Sequence, residues 1–327
     1  MRVLVTGGAG FIGSHFVRRL TAQGEDVVVL DKLTYSGNLS NLDRVEHEFH
    51  EGDIADPDAV ARAGRGCQAV VNFAAETHVD RSILGPAEFI LTDILGTQVL
   101  LDWARENGTR HVQVSTDEVY GDIEPGQASS EDDPIRPSSP YSASKAGGDL
   151  QVLAYVRTYG VNASITRGAN TYGSHQYPEK LIPLMVTNAL DGEQLPVYGD
   201  GRQRREWIHA DDHCAAIELV LRDGAPGEIY NVGGQERENL EVIRRILDLT
   251  GASPDLVRHV KDRAGHDRRY SLDSSKLHAL GWKPEHSFAQ GLAETAGWYR
   301  DNRAWWEPIK SGEYRAYYEQ QYAERLG

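Results

Sequence analysis

Cysteine is nearly missing from this chain: Cys67 and Cys214 are the two in 327 residues, far apart and in no metal-like spacing. That excludes a disulfide framework and fits a reducing compartment. Long apolar runs are missing too, and none approaches the ~18–20 residues that cross a membrane. Positive charge is in deficit, with 34 Lys+Arg against 49 Asp+Glu and a formal net charge of −15. Nucleic acid and anionic membrane surfaces are therefore not expected partners, because both are drawn by basic patches. The glycines of the opening MRVLVTGGAGFIG, with no small-residue cleavage site after them, set it apart from a signal peptide. What is present is ordinary for a globular protein, 40% hydrophobic and 25% charged. The expectation is a cytoplasmic protein.

Apolar runs alternate with helical spacing through the first half. Residues 2–6, 26–30, 68–74 and 111–115 read as buried strands, and 11–23 and 87–106 as helices. Such alternation implies βαβ units and a parallel sheet, with ligands at the carboxyl ends of its strands. After residue 170 the texture becomes irregular, apart from helices near 211–221 and 240–250. The expected fold class is α/β: a doubly wound parallel Rossmann sheet with a smaller, mixed α/β C-terminal lobe. Residues 1–170 form the first part, and 171–327 the lobe, interleaved with the end of the sheet. The aromatic tail, with Trp305, Trp306, Tyr314, Tyr317 and Tyr318, reads as a packed amphipathic helix.

The first strand runs straight into Gly7, Gly10 and Gly13, which open a helix. Glycine suits the tight turn and lets backbone approach a pyrophosphate, while the helix N-terminus offers N–H groups to it. A glycine triplet alone is weak evidence. Here the second strand also ends in Asp31, 24 residues after Gly7, where a carboxylate takes ribose hydroxyls. Asp31 favours NAD over NADP because it repels a 2′-phosphate; the neighbouring Lys32 works against that preference.

Tyr141 and Lys145 form Tyr-x-x-x-Lys, and on a helix i and i+4 share a face. An ordinary phenol, with a pKa near ~10, is too weak a base at neutral pH. A nearby ammonium favours the phenolate. By itself the motif is as readily a surface helix, but here it follows a dinucleotide turn and a Ser-Thr strand end. That strand end, Ser115-Thr116-Asp117-Glu118-Val119-Tyr120-Gly121, places two adjacent carboxylates where parallel sheets do chemistry. Paired acids divide the work, one protonated and one ionised, when their surroundings separate their pKa values. The bland alternative is an acidic loop facing water.

The G-x-x-G-x-x-G spacing resembles the extended short-chain dehydrogenase/reductases. STDEVYG, PYSASK, YPEKLIP, AAETHVDRSI, YGDGRQRREWIHADDH, YNVGG and RAGHDRRY together resemble the dTDP-glucose 4,6-dehydratase family nearly end to end. The resemblance implies C4 oxidation of a nucleotide sugar by NAD, loss of water across C5–C6, and hydride return to C6. Tyr141 is then the base at C4 with Thr116 on the same oxygen and Lys145 lowering the phenol pKa. Glu118 takes the C5 proton, and Asp117 protonates the departing hydroxyl. Cofactor contacts are implied at Gly7, Gly10, Phe11, Ile12, Gly13, Asp31, Lys32, Thr34, Ser36, Gly37, Asp53, Ile54, Ala74, Ala75, Thr77, Thr92, Val114, Tyr141, Lys145 and Asn170. Substrate contacts are implied at Thr77, Thr116, Asn170, Glu179, Lys180, Leu181, Pro196, Tyr198, Arg205, Asn239, Arg263 and His266, with Tyr198 against the base and Arg205, Asn239 and Arg263 near the diphosphate. No metal is expected.

The chain departs from the family pattern at three places. Asp93 stands where Asn is usual, Ser174 replaces a Pro, and residues 204–206 are more charged. Alternatives are a nucleotide-sugar 4-epimerase or UDP-glucuronate decarboxylase, or a non-catalytic dinucleotide binder. The resemblance also implies a homodimer built from helices near 87–106 and 141–158.

Overall fold

The computed structural model describes residues 1–262, 265–311 and 318. The chain opens with β1 (Arg2–Thr6), α1 (Phe11–Ala22), β2 (Asp26–Asp31), β3 (Glu48–Glu51), α2 (Pro57–Ala63), β4 (Ala69–Asn72), α3 (Val79–Leu84) and α4 (Ala87–Ile90). A π-helical stretch (Leu91–Gly96) leads into α5 (Thr97–Asn107), β5 (Arg110–Thr116), α6 (Pro140–Tyr159), β6 (Ala163–Gly168) and β7 (Asn170–Tyr172). Then come α7 (Leu181–Asp191), β8 (Leu195–Tyr198), β9 (Arg204–His209), α8 (Ala210–Asp223), β10 (Ile229–Val232), β11 (Gln235–Glu238), α9 (Asn239–Thr250) and β12 (Val257–Val260). Among the described residues α10 (Ser275–Ala279), α11 (Phe288–Asp301) and α12 (Arg303–Trp306) follow.

Among the described residues the main sheet has seven parallel strands in the order β10-β6-β5-β4-β1-β2-β3. The doubly wound sheet expected from the sequence is therefore present. Strand order reverses beside β1, with β2 on one side and β4 on the other, and this switch point is where such sheets take ligands. Both faces are covered, which is why β1 and β2 read as near-continuous apolar runs. Phe16, Val17 and Leu20 of α1 join Ile217 and Val220 of α8 on one face. Val60 of α2, Leu100 and Leu101 of α5, and Val152 of α6 cover the other.

A third core lies in the C-terminal half, where Ile182, Trp207, Ile243, Leu292, Tyr299 and Trp306 pack together. It supports a three-stranded sheet (β11-β9-β7) and the pair β12-β8. In the expected aromatic tail helix, α12 holds Trp305 and Trp306; Tyr314 and Tyr317 lie outside the described residues. No helix among the described residues is long and apolar enough to cross a membrane.

The helix expected over 87–106 is present, but its middle is π-helical. Thr97 Oγ1 donates to the Asp93 carbonyl at 2.7 Å, a back-bond that loosens the local ladder. At the same place α6 comes in backbone to backbone. A Cβ on Gly148 would lie 2.7 Å from the Asp93 carbonyl oxygen, and one on Gly147 2.6 Å from Ile94 Cδ1.

Candidate active site

The β1–α1 turn is shaped by what its glycines lack. Gly7 adopts φ +68°, and a Cβ there would lie 2.6 Å from the Ala74 amide nitrogen; one on Gly13 would lie 2.2 Å from the Gly7 carbonyl oxygen. α1 starts at Gly10 with no side-chain cap and no acid in its first turn. Its first N–H groups therefore point into the cleft as a ready anion site. At the end of β2, Asp31 accepts from Ala9 N at 3.0 Å and from Leu33 N at 2.8 Å. Burial pushes its pKa up while those two amides hold it down. The Lys32 ammonium sits 3.5 Å from both Asp53 and Glu76 and donates to Thr92 Oγ1 at 3.1 Å. Two carboxylates thus claim the charge that would otherwise welcome a 2′-phosphate.

At the end of β5, Thr116 caps a 3-10 turn over Asp117–Tyr120, its Oγ1 accepting from Glu118 N at 3.2 Å and donating to Asp117 Oδ1 at 3.1 Å. Asp117 is 3% exposed and its Oδ2 has no hydrogen-bond partner among the described residues. Burial first, then the charges of Glu118 and Glu206, push its pKa well above the carboxylate range. Next to it, Glu118 is half-buried. The pair thus sits in two different environments.

A capping box between Ser139 and Ser142, with Pro140 in the first turn, fixes the start of α6. That start places Tyr141 and Lys145 one turn apart. Lys145 Nζ donates to the Val114 carbonyl at 2.8 Å, which ties α6 to β5. Tyr141 is pushed well above 10 by burial, then by Glu118 and Asp93, with the Thr116 hydroxyl opposing.

All of the cofactor residues expected from the sequence line one cleft at the carboxyl edge of the sheet, as do Thr116, Asp117 and Glu118. A second cleft adjoins it, and Glu118, Asn170, Glu179 and Lys180 line both. Leu181, Pro196, Tyr198, Arg205, Asn239 and His266 line the second, whereas Thr77 and Thr116 line the first. Arg263 lies outside the described residues. The Arg205 guanidinium rests 4.3 Å over the Tyr270 ring and bonds the carbonyls of Arg204, Asp267 and Arg268. Those contacts position its charge without an ion-pair partner among the described residues. Asn170 Oδ1 and Asn239 Oδ1 are buried with no hydrogen-bond partner among the described residues.

Sequence reasoning named Glu179 as a substrate contact but not the groups that hold it, and it passed over His213. Glu179 accepts from Tyr35 OH at 2.9 Å and Arg81 Nε at 3.2 Å, joining the loop after β2 to the second cleft. His213, within the quoted ADDH block, lines the first cleft with its ring against Gly168. The departures also acquire partners: Ser174 presents its carbonyl to His15 Nε2 at 3.0 Å, and Glu206 accepts from Gly234 N and Ser271 Oγ. Metal-ligand types converge at His209, Asp211 and His286. The two imidazoles stack at 4.1 Å and 27°, so their in-plane lone pairs run side by side instead of meeting, and His15 holds Asp211 at 2.7 Å.

A parallel sheet with this glycine turn, an acid closing its second strand and a Tyr–Lys pair at the cleft defines a short-chain dehydrogenase/reductase. The family model described as GDP-mannose 4,6 dehydratase matches residues 4–295. The chain is 55% identical over 324 residues to a dTDP-glucose 4,6-dehydratase of Streptomyces niveus, covering 95% of this chain and 96% of that one. It superposes with TM-score 0.93 and 55% identity on the dTDP-glucose 4,6-dehydratase DesIV of Streptomyces venezuelae, solved with NAD and TYD bound, covering 95% of this chain and 100% of that one. A UDP-glucose 4-epimerase from Thermus thermophilus, in complex with NAD, matches with TM-score 0.88 at 34% identity, covering 92% and 100%. The chain belongs to the GDP-mannose 4,6 dehydratase family and, within it, to the dTDP-glucose 4,6-dehydratases.

Proposed function

We propose that this protein is an NAD-dependent lyase that converts dTDP-glucose to dTDP-4-keto-6-deoxyglucose. The observation that carries the reading is the Asp117–Glu118 pair, one carboxyl sealed and bonded only through Oδ1 to Thr116 among the described residues, the other half-buried, beside Tyr141. The β1–α1 turn has room for a pyrophosphate because its glycines carry no Cβ, and Asp31 stands where an adenosine ribose ends. Gly7, Gly10, Gly13, Asp31, Asp53, Ala74, Tyr141, Lys145 and Asn170 would hold the dinucleotide. Bound NAD supplies the acceptor for the C4 hydride and its later donor to C6.

The residues of the chain manage the protons. Tyr141 takes the proton of the C4 hydroxyl, and Thr116 hydrogen-bonds the same oxygen. The Lys145 ammonium supports the phenolate against the burial that opposes it. A C4 ketone acidifies the C5 hydrogen, which Glu118 removes and later returns. Asp117, whose protonated form burial favours, gives its proton to the C6 oxygen so that water leaves. Each such group contributes ~10²–10⁴-fold. Arg205, with Asn239 and Arg263, meets the diphosphate, and Tyr198 faces the base.

Incubation with dTDP-glucose and UDP-glucose in deuterated water, followed by mass spectrometry, tests this. The expected product has lost one water and carries deuterium at C5, from dTDP-glucose in preference to UDP-glucose. An unchanged mass with inversion at C4 would replace the dehydratase reading with an epimerase.

The protein acts as a homodimer in this reading. Leu84, Ile90, Leu91, Leu95 and Leu150 are 63, 54, 46, 41 and 55% exposed, spread over α3, α4, the π-helical stretch and α6. Apolar exposure on neighbouring helices suits an isologous contact with a second copy. Leu150→Glu is expected to halve the mass found by light scattering, and a dimer that survives it would place the contact elsewhere. Cytoplasmic residence is part of the same proposal, supported by two buried free thiols.

A further inference from the structure

Asp93 is the departure that the proposed reaction leaves unused. Its side chain is buried on the π-helical stretch, 1% exposed, facing the first turns of α6. Oδ2 accepts a 2.5 Å hydrogen bond from Ser144 Oγ, and the same hydroxyl lies 2.8 Å from the Tyr141 carbonyl. Ser144 stands between Tyr141 and Lys145 in the chain, so one carboxylate reaches the turn that carries both. Oδ1 has no partner of hydrogen-bonding geometry among the described residues. The approach is possible because Gly147 and Gly148 let α6 lie directly against this backbone.

Resting on the reading in which Tyr141 is the base, we propose that Asp93 is a positioning residue for Tyr141 and Lys145. Its carboxylate grips the intervening turn of α6 through Ser144 and sets a negative charge beside both groups. That charge disfavours the Tyr141 phenolate, while Lys145 in turn favours the ionised Asp93 carboxylate. The other charged groups around this centre come from several elements. Glu76, from the loop after β4, adds negative charge beside Asp93 and is itself met by Lys32 at 3.5 Å. Asp117 and Glu118 face Tyr141 from the turn after β5. Asp149 lies one turn beyond Lys145 on α6 and is paired with Arg167 at 2.9 Å.

Burial lifts Asp93 to about 6, with Lys145 and the Ser144 hydroxyl holding it down. Its charge is present at pH 7 and disappears as the pH falls through that value. Tyr141 is then easier to ionise below it than above. An amide at this position has no such step.

The test uses the whole protein with tyrosine labelled at Cζ, the Tyr141 signal being identified by its loss in Tyr141→Phe. In the wild type that signal is expected to inflect near pH 6, and in Asp93→Asn the inflection is expected to vanish. The Asn oxygen still accepts from Ser144, so this variant keeps the grip and removes the charge. Its acid-side half-maximal pH for turnover is expected to fall by about 1 unit. Asp93→Leu, which loses grip and charge, is expected to lose about tenfold in kcat with KM within about twofold, as a misplaced reacting pair would. A Tyr141 signal that does not inflect near pH 6, or that inflects equally in Asp93→Asn, would overturn the proposal. So would variants that change only the melting temperature. The titration needs no substrate, so failure to dehydrate dTDP-glucose would defeat the reaction reading separately.

Discussion

With Asp117 replaced by Asn, dTDP-glucose is expected to exchange its C5 hydrogen with solvent while keeping its water. In the proposed mechanism C4 oxidation and C5 proton removal depend on Tyr141 and Glu118, which the substitution leaves in place. Only the acid for the C6 oxygen is removed, because an amide donates a hydrogen bond but no proton. Water loss is expected to fall ~10²–10⁴-fold, so deuterium accumulates in unreacted substrate in a mass-spectrometric time course. Equal slowing of exchange and water loss would remove Asp117 from this role. The same variant is expected to melt no lower than the wild type at pH 7. Burial raises the Asp117 pKa in the folded state, so folding favours the protonated carboxyl. Stability from this group is present below the unfolded pKa near ~4 and lost as the pH rises through the folded one. A neutral amide avoids that loss. A lower melting temperature would indicate that the amide disturbs packing.

Gly13→Ala is expected to be nearly as damaging, by a route that no side-chain movement relieves. Its Cβ would sit 2.2 Å from the Gly7 carbonyl oxygen and 2.9 Å from Gly8 Cα. Both neighbours are backbone in the turn that α1 starts from, so the turn itself must open. The expected cost is about 3 kcal/mol in urea unfolding, with NAD affinity by calorimetry down at least ~100-fold, or about 2.7 kcal/mol. Wild-type values in both measurements would mean that the turn is softer than its contacts imply.

Much of the frame was legible because the strands under both layers of helices need apolar residues throughout. β1 and β2 stood out for that reason. β3 did not, since Glu48–Glu51 is an edge strand with two exposed glutamates and half-buried Phe49 and His50. The π-helical stretch was invisible as well, because it follows from the approach of Gly147 and Gly148 on a helix fifty residues away. In the site, residue types and their spacing told which carboxylates stand together at the end of β5. Their unequal environments came first from the burial of Asp117, a product of the tertiary fold, and then from groups such as Glu206 and Arg205, which reach it from β9 and carry no local signal. Tyr141 shows the same limit: its motif placed the phenol near Lys145, whereas the acids that raise its pKa come from other elements.

β10 has a consequence for synthesis of the chain. The strand that pairs with β6 arrives only at Ile229–Val232, with register Ile229↔Ile165 to Val232↔Gly168. Until then the growing polypeptide presents β6, buried along its whole length in the finished protein, as an open edge of unpaired amides and carbonyls. Such edges recruit other strands, and sequence-distant pairings form slowly. The nascent protein is therefore most exposed to aggregation between the emergence of β6 from the ribosome and the emergence of β10. A pause in synthesis within that window lengthens the hazard; one after β10 has emerged does not.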